Sequence, residues 1–184
     1  MATSAFPTKQ YTSEQFVESC GTVPFDSTHK PTRVCLIQYL KTNEWLLPKG
    51  RRNIGESRRE AALREDEEET GYKCRIYPIT MPTRAPRPDD YDDVPDEARP
   101  CVDLEEPFML TFRELSGEGG VKVIWWFVAS VEAENCIPAV GGNRYSGCRA
   151  EFFTYEEALQ MLKFQADRDV LGRAIELVEG SPIV

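Results

Sequence analysis

Apolar runs separated by polar turns predict a series of strands along the chain. Residues 33–40 are apolar and β-branched and predict a buried strand, and Thr42-Asn43 forms the turn to a short strand at 44–47. An edge strand is expected near 22–25, within an otherwise polar start. The remaining strands are predicted at 72–80, 108–115, 121–131 and 151–154, with 108–115 and 121–131 joined as a hairpin through a glycine-containing turn.

Three segments predict helices. Residues 56–70 contain neither glycine nor proline and are rich in Ala, Leu, Glu and Arg, and Gly71 follows as a stop signal. Thr154 and Glu157 form a capping box that opens a second helix. Apolar residues spaced for one buried face predict a third helix at about 166–179. The layout predicts an α/β or α+β fold with a mixed sheet and helices on its faces.

Three segments predict loops. Residues 48–55 and the glycine-rich 135–149 lack the period of a helix or strand. Residues 82–107 hold six of the 13 prolines and nine acidic residues, so an insertion loop that is not packed is expected there. With 184 residues, we expect a single domain over 1–184.

Composition excludes several classes of function. No run of 18 apolar residues is present, so no membrane helix is expected, and the N-terminus does not resemble a secretory signal. The expected location is the cytoplasm or nucleus. The chain has one histidine, His29, which disfavours histidine-rich zinc sites. The six cysteines form no CxxC pair and are interpreted as reduced thiols, mostly in the core.

The negative charge is concentrated in two segments. The formal net charge is -9, but residues 82–107 and 56–69 account for more than all of it. The overall balance argues against general nucleic-acid binding. The surface outside these segments is nearly neutral and need not repel an anionic substrate.

Three glutamates are predicted to share one helix face. Glu65, Glu68 and Glu69 are spaced three and four residues apart, and like charges at that spacing repel. A hard divalent cation, Mg²⁺ or Mn²⁺, would relieve that repulsion through oxygen ligands. An ordinary solvated acidic face is the alternative interpretation.

The surrounding spacing supports the metal interpretation. The segment reads Gly50-x5-Glu56-x7-Arg64-Glu65-x2-Glu68-Glu69-x-Gly71, and it resembles the Nudix box, the signature of the Nudix hydrolases. The resemblance implies an αβα sandwich and cleavage of phosphoanhydride bonds by water attack at phosphorus. One position departs from the pattern, because Asp66 stands where the family carries an inward-packing aliphatic residue.

The resemblance also implies roles for individual residues. Glu68 and Glu69 are the expected metal ligands, with Glu65 as a further ligand or as the catalytic base. Glu56 and the Gly50 carbonyl complete the expected metal set, and Arg64 is expected to act with Glu65 by orienting the carboxylates. A further acid is expected from a later segment, and the candidates are Glu132, Glu134 and Glu151.

The substrate is expected to be a highly phosphorylated small molecule. The expected phosphate-binding cations are Lys49, Arg51, Arg52, Arg33 and Lys30. The stretch from Trp45 to Asn53 is most similar to the diphosphoinositol polyphosphate phosphohydrolases, which implies inositol pyrophosphates first and diadenosine polyphosphates next. A nucleotide would need an aromatic platform, for which Tyr91, Trp125, Trp126 and Tyr145 are candidates, with at least one tryptophan expected in the core.

Two alternatives stay open. One is mRNA decapping or hydrolysis of another nucleoside diphosphate derivative. The other is a partner-binding module with an inactive site, whose acidic segment at 82–107 docks the partner.

Overall fold

A computed structural model describes residues 5–30, 32–90, 94–115, 120–132 and 147–180. Within these residues, the helices are α1 (Arg58–Thr70), α2 (Tyr155–Met161) and α3 (Gln165–Gly180). The strands are β1 (Phe16–Asp26), β2 (Arg33–Tyr39), β3 (Glu44–Leu46), β4 (Lys49–Arg51), β5 (Cys74–Ile76), β6 (Ile79–Thr83), β7 (Arg99–Leu104), β8 (Met109–Glu114), β9 (Val121–Val131) and β10 (Cys148–Phe153).

The main sheet is mixed and lies between two helical layers. Its central path runs β10-β2-β1-β9-β5, with β3 on β2, β4 on β1 and β8 on β9. The β1–β9 pair is parallel, whereas the other pairs of this sheet are antiparallel. The α1 residues Ala61 and Ala62 pack on one face, and the α2 and α3 side chains pack on the other against Trp126 and its neighbours. The predicted αβα sandwich with a mixed sheet is confirmed.

The two faces of the sheet can be assigned residue by residue near the start of β1. Cys20 packs with the α1 cluster, and Val23 packs with the α2–α3 cluster. Successive strand residues point to opposite faces, so the even positions of β1 face α1 and the odd positions face α3. The same alternation on β9 directs Trp125 and Phe127 toward α1 and Ile124 toward α3.

The central strand β1 is the largest departure from the sequence prediction. An edge strand was expected near 22–25, but β1 spans 11 residues and pairs with β9 over most of its length. Gly21 and Pro24 lie within β1, and because both residue types are uncommon inside strands, the sequence does not predict a long strand here. Pro24 is tolerated because β4 pairs with β1 over residues 19–21 and β2 joins only at Phe25, so the missing N–H falls between two partner strands.

Other boundaries also shift. The predicted strand at 72–80 is divided at Tyr77-Pro78 into β5 and β6. The expected loop over 82–107 is wrong at its ends, because β7 pairs with β6 and Cys101 is buried. The interpretation of the cysteines as free thiols is confirmed for five of them, and Cys136 lies outside the described residues. Among the described residues, no helix is both long enough and apolar enough to cross a membrane.

Helix α1 is fixed at both ends by its own sequence. Ser57 caps the N-terminus in a capping box with Glu60, and Gly71 ends the helix at a φ of 78°, in the left-handed region. The inward face holds Ala61, Ala62 and the unusual Asp66, which is fully buried. The Thr22 hydroxyl donates to an Asp66 carboxylate oxygen at 2.9 Å, so a strand of the sheet supplies the partner that the sequence did not identify.

Burial of Asp66 has a measurable effect on stability. Burial raises the pKa of Asp66 to about 6, whereas an unfolded aspartate titrates near 3.9. The folded protein therefore holds a proton more tightly than the unfolded chain, so stability is lost as pH rises from about 4 to 6.

We expect Asp66→Asn to raise the free energy of unfolding at pH 8 by on the order of 2–3 kcal/mol, because the amide needs no charge desolvation. The gain should shrink toward zero by pH 4. Denaturant unfolding in EDTA at both pH values measures it. The control is Glu67→Gln, which removes the same charge from an exposed neighbour. An equal gain at both pH values would show that ionisation of Asp66 has no part in the effect.

Candidate active site

The site is built where the edge strand β4 lies against helix α1. The Lys49 backbone N–H donates to Glu69 Oε2 at 2.8 Å, and Arg64 donates to the Arg51 carbonyl at 3.0 Å. Between these two contacts, Gly50 faces the Glu65 carboxylate so closely that an added Cβ would lie 1.8 Å from Oε2. The side of Gly50 that lacks a side chain is therefore filled by a glutamate carboxylate.

A single guanidinium joins three of the predicted glutamates. Arg64 Nε donates to Glu56 Oε1 at 2.8 Å, and NH1 donates to Glu65 Oε1 at 2.8 Å and to Glu68 Oε2 at 3.2 Å. The bonds to Glu56 and Glu65 raise the pKa of Arg64, and the bond from Arg64 lowers the pKa of Glu56. The orienting role of Arg64 stays a prediction, which these bonds support.

The fourth glutamate, Glu69, is held by the backbone. Burial raises the pKa of Glu69 to about 7, and the Lys49 N–H offsets this only in part. Three carboxylates thus contact one guanidinium, and a fourth carboxylate is held by the backbone of β4, so the acids of the site outnumber the arginine that joins them. That excess and the all-oxygen donor set suit a hard divalent cation.

As the side chains stand, no group of three Asp, Glu, His or Cys side chains converges as a metal cage within the described part of the chain. Arg64 lies among three of the carboxylates instead. The metal roles of Glu56, Glu65, Glu68, Glu69 and Gly50 stay predictions, supported by the shared location of these residues and by their charge.

Glu18 is a site residue that the sequence did not reveal. It lies on the α1 face of β1 and accepts from Arg52 Nε at 3.0 Å, from Arg58 NH2 at 2.8 Å and from Trp125 Nε1 at 2.9 Å. Burial alone would raise the pKa of Glu18, but the hydrogen bonds from Arg58 and Trp125 outweigh it and lower the pKa. Glu18 thereby anchors the segment between β4 and α1, and no sequence motif marks it.

The predicted phosphate-binding cations fall into three groups. Lys49 and Arg51 flank Gly50 on β4, beside the carboxylates. Arg52 is close by, but its guanidinium is engaged by Glu18 and by the Glu56 carbonyl, so it positions the loop. The structure does not bring Arg33 to the carboxylates, and Lys30 belongs to the connection between β1 and β2 that precedes Arg33. Arg33 pairs with Asp26 of β1, whereas Gly50 pairs with Cys20 of the same strand. Asp26 and Cys20 are six residues apart, which separates the two positions by about 20 Å along β1.

Two of the later acids, Glu151 and Glu132, lie within the described residues, on β10 and directly after β9. Glu151 lies on β10 beside Leu36 of β2, whose side chain packs in the cluster of α2 and α3, and it pairs with Arg149. Glu132 follows the far end of β9, where its N–H donates to the Lys73 carbonyl. Glu134 lies outside the described residues.

Both tryptophan rings of β9 are covered by other parts of the protein. Trp126 is fully buried in the core, as expected for at least one of them. Trp125 is covered by Arg58, whose guanidinium carbon lies 3.9 Å from the ring centroid. Neither ring offers an open platform for a base, and Tyr91 and Tyr145 lie outside the described residues.

Comparisons with known proteins agree with this architecture. Residues 17–173 match the family model described as the NUDIX domain. The comparison with curated proteins finds no significant match.

Among solved structures, the Ap4A hydrolase of C. elegans in a binary complex aligns with a TM-score of 0.59 and 16% identity, over 89% of this chain and 98% of that chain. The NUDIX domain of Shewanella oneidensis NrtR, complexed with ADP ribose, aligns with a TM-score of 0.59 and 16% identity, over 90% and 92% of the two chains. The E. coli ORF135 protein aligns with a TM-score of 0.55 and 16% identity, over 92% of this chain and 96% of that chain. At 16% identity, the likeness to these solved structures concerns the fold alone. The family model matches residues 17–173, which is most of the chain, and the chain therefore belongs to the Nudix family.

Proposed function

We propose that this protein is a divalent-metal-dependent hydrolase of phosphoanhydride bonds in highly phosphorylated small molecules. The observation that carries the proposal is the convergence of Glu56, Glu65 and Glu68 on Arg64, with the Glu65 carboxylate against Gly50. A solvated acidic face would not hold its carboxylates between a strand and one guanidinium.

Glu68, Glu69, Glu65, Glu56 and the Gly50 carbonyl would hold the metal, Mg²⁺ or Mn²⁺. When bound, the metal supplies charge neutralisation for the phosphate oxygens and lowers the pKa of an attacking water. Arg64 keeps three of these carboxylates together, and the Lys49 N–H fixes Glu69. Glu65 serves either as a ligand or as the base that takes a proton from water.

For the substrate, we infer diphosphoinositol polyphosphates, with diadenosine polyphosphates next. Lys49 and Arg51 support a ligand that carries many phosphates, because both lie within the segment whose sequence favours this choice. The covered Trp125 and the buried Trp126 weaken the case for stacking a nucleotide base. The cytoplasmic or nuclear location and the single domain stay predictions.

A substrate panel tests the activity directly. With Mg²⁺, we expect hydrolysis of a diphosphoinositol polyphosphate, followed by chromatographic separation of substrate and products, to exceed hydrolysis of diadenosine hexaphosphate, ADP-ribose and capped RNA. The Glu68→Gln and Glu69→Gln double variant should lose at least about a hundredfold in kcat/KM, since it removes two carboxylates of the metal set. Glu67→Gln, on the solvent side of the same helix, should retain activity.

Each outcome separates the alternatives. Preference for capped RNA would replace the substrate proposal with decapping. An inactive wild-type protein would favour the partner-binding module. Full activity of the double variant would refute the assignment of the site.

A second prediction concerns the metal alone. We expect Gly50→Ala to weaken Mn²⁺ binding by about tenfold or more, because the new methyl group displaces the Glu65 carboxylate. The thermal midpoint should change little, since the displaced atoms are the end of a flexible side chain. Titration followed by electron paramagnetic resonance measures the affinity for Mn²⁺.

The matched control is Gly172→Ala on α3, where an added Cβ meets nothing within 4 Å. This variant should bind Mn²⁺ as the wild type does. Unchanged Mn²⁺ affinity in Gly50→Ala would place the metal away from Glu65.

A further inference from the structure

A buried hydroxyl on the opposite face of the sheet has no partner. Ser19 of β1 is fully buried, and its Oγ makes no hydrogen bond. It lies at an odd position of β1 and therefore points away from α1, beside Arg51 of β4 and Ile124 of β9. An unpaired buried hydroxyl is costly, so it points to a ligand that would accept its proton in a hydrogen bond.

Four cations share this face around Ser19. Lys49 lies beside Gly21, Arg51 is opposite Ser19, and Lys122 of β9 is beside Val17. The register of β8 places Arg113 directly opposite Lys122. We call Lys49, Arg51, Arg113 and Lys122 the cation face.

The cation face carries an excess of positive charge. Burial lowers the pKa of Lys122, and the nearby charges of Lys49, Arg113 and Arg51 lower it further. The compensating anion on this side is the buried Asp167, at 3.9 Å from Arg113. Like charges gathered at one place are destabilising unless an anion joins them.

The cation face is close to the carboxylates of α1. The negative charge of Glu65 favours the charged form of Lys122 and so offsets part of the lowering of the Lys122 pKa. Lys49 and Arg51 belong to the same three-residue strand as Gly50, which the Glu65 carboxylate contacts. One extended polyanion can therefore reach both sides of β4.

We propose that the cation face, with Ser19 at its base, is an anion subsite that binds the phosphate groups of the substrate that are not cleaved. Lys122 and Arg113 select substrates with phosphates beyond the reacting pair, and the Ser19 hydroxyl donates to one phosphate oxygen. Asp167 limits the affinity by cancelling one positive charge. The proposal rests on the hydrolase activity proposed above, and the subsite itself is testable by binding alone.

Binding of inorganic tripolyphosphate in EDTA, followed by calorimetry, tests the subsite without metal or turnover. We expect Lys122→Gln and Arg113→Gln each to weaken binding by about tenfold, because each removes a charged partner of phosphate. Ser19→Ala should weaken it by about threefold to tenfold without loss of stability, since its hydroxyl has no partner to lose. Asp167→Asn should strengthen it.

The control is Arg75→Gln on β5, an exposed arginine paired with Ser130 at the far end of β9. It should bind tripolyphosphate as the wild type does. Equal affinities in the wild type, Lys122→Gln and Arg113→Gln would overturn the proposal, and so would an equal loss in Arg75→Gln. Failure of the hydrolase proposal would appear separately, as an inactive wild type that still binds tripolyphosphate.

A kinetic comparison adds a readout that a structural role would not move. In Lys122→Gln, KM for the diphosphoinositol polyphosphate should rise by about tenfold with kcat nearly unchanged. Hydrolysis of ADP-ribose, which has only two phosphates, should be affected little. Equal losses on both substrates would contradict selection by phosphate number.

Discussion

The site depends on one electrostatic constraint, the repulsion among carboxylates crowded at one end of helix α1. Glu56, Glu65 and Glu68 are tolerated because Arg64 bridges them, and Glu69 is tolerated because the Lys49 N–H contacts it. Both Arg64 and Glu69 contact the backbone of β4, Arg64 through the Arg51 carbonyl and Glu69 through the Lys49 N–H. Helix, edge strand and carboxylates are therefore joined into one unit by these contacts.

The rest of the fold holds this unit in place. Ala61 and Ala62 let α1 approach the sheet closely, and the capping box and Gly71 fix where the helix begins and ends. Asp66 is a costly residue at a buried position, offset by the Thr22 hydroxyl. Glu18 then fixes the segment between β4 and α1 through Arg52 and Arg58.

Short sequence patterns predicted those features whose residues are close together in the chain. The helix predicted over 56–70 forms over Arg58–Thr70 and ends at Gly71, and β8 pairs antiparallel with β9. Both features follow from composition and spacing within a short window. The Arg64–Glu68 pair follows from helical geometry. What the sequence could not provide is long-range pairing. Glu18 and Ser19 acquire their surroundings from β4, β9 and α1, and Arg33 is directed away from the site by its register with Asp26.

The parallel pairing of β1 with β9 has a consequence for folding. Ser19 meets Ile124 and Cys20 meets Trp125, so contacts near the carboxylates join residues about a hundred positions apart. Such pairing carries a large loop-closure cost and forms late. During synthesis, the chain must extend beyond residue 131 before β1 can complete its parallel pairing with β9, although β2 and β4 are already available. A nascent or truncated chain ending before β9 would therefore carry the full motif without the parallel partner of the strand that supports it.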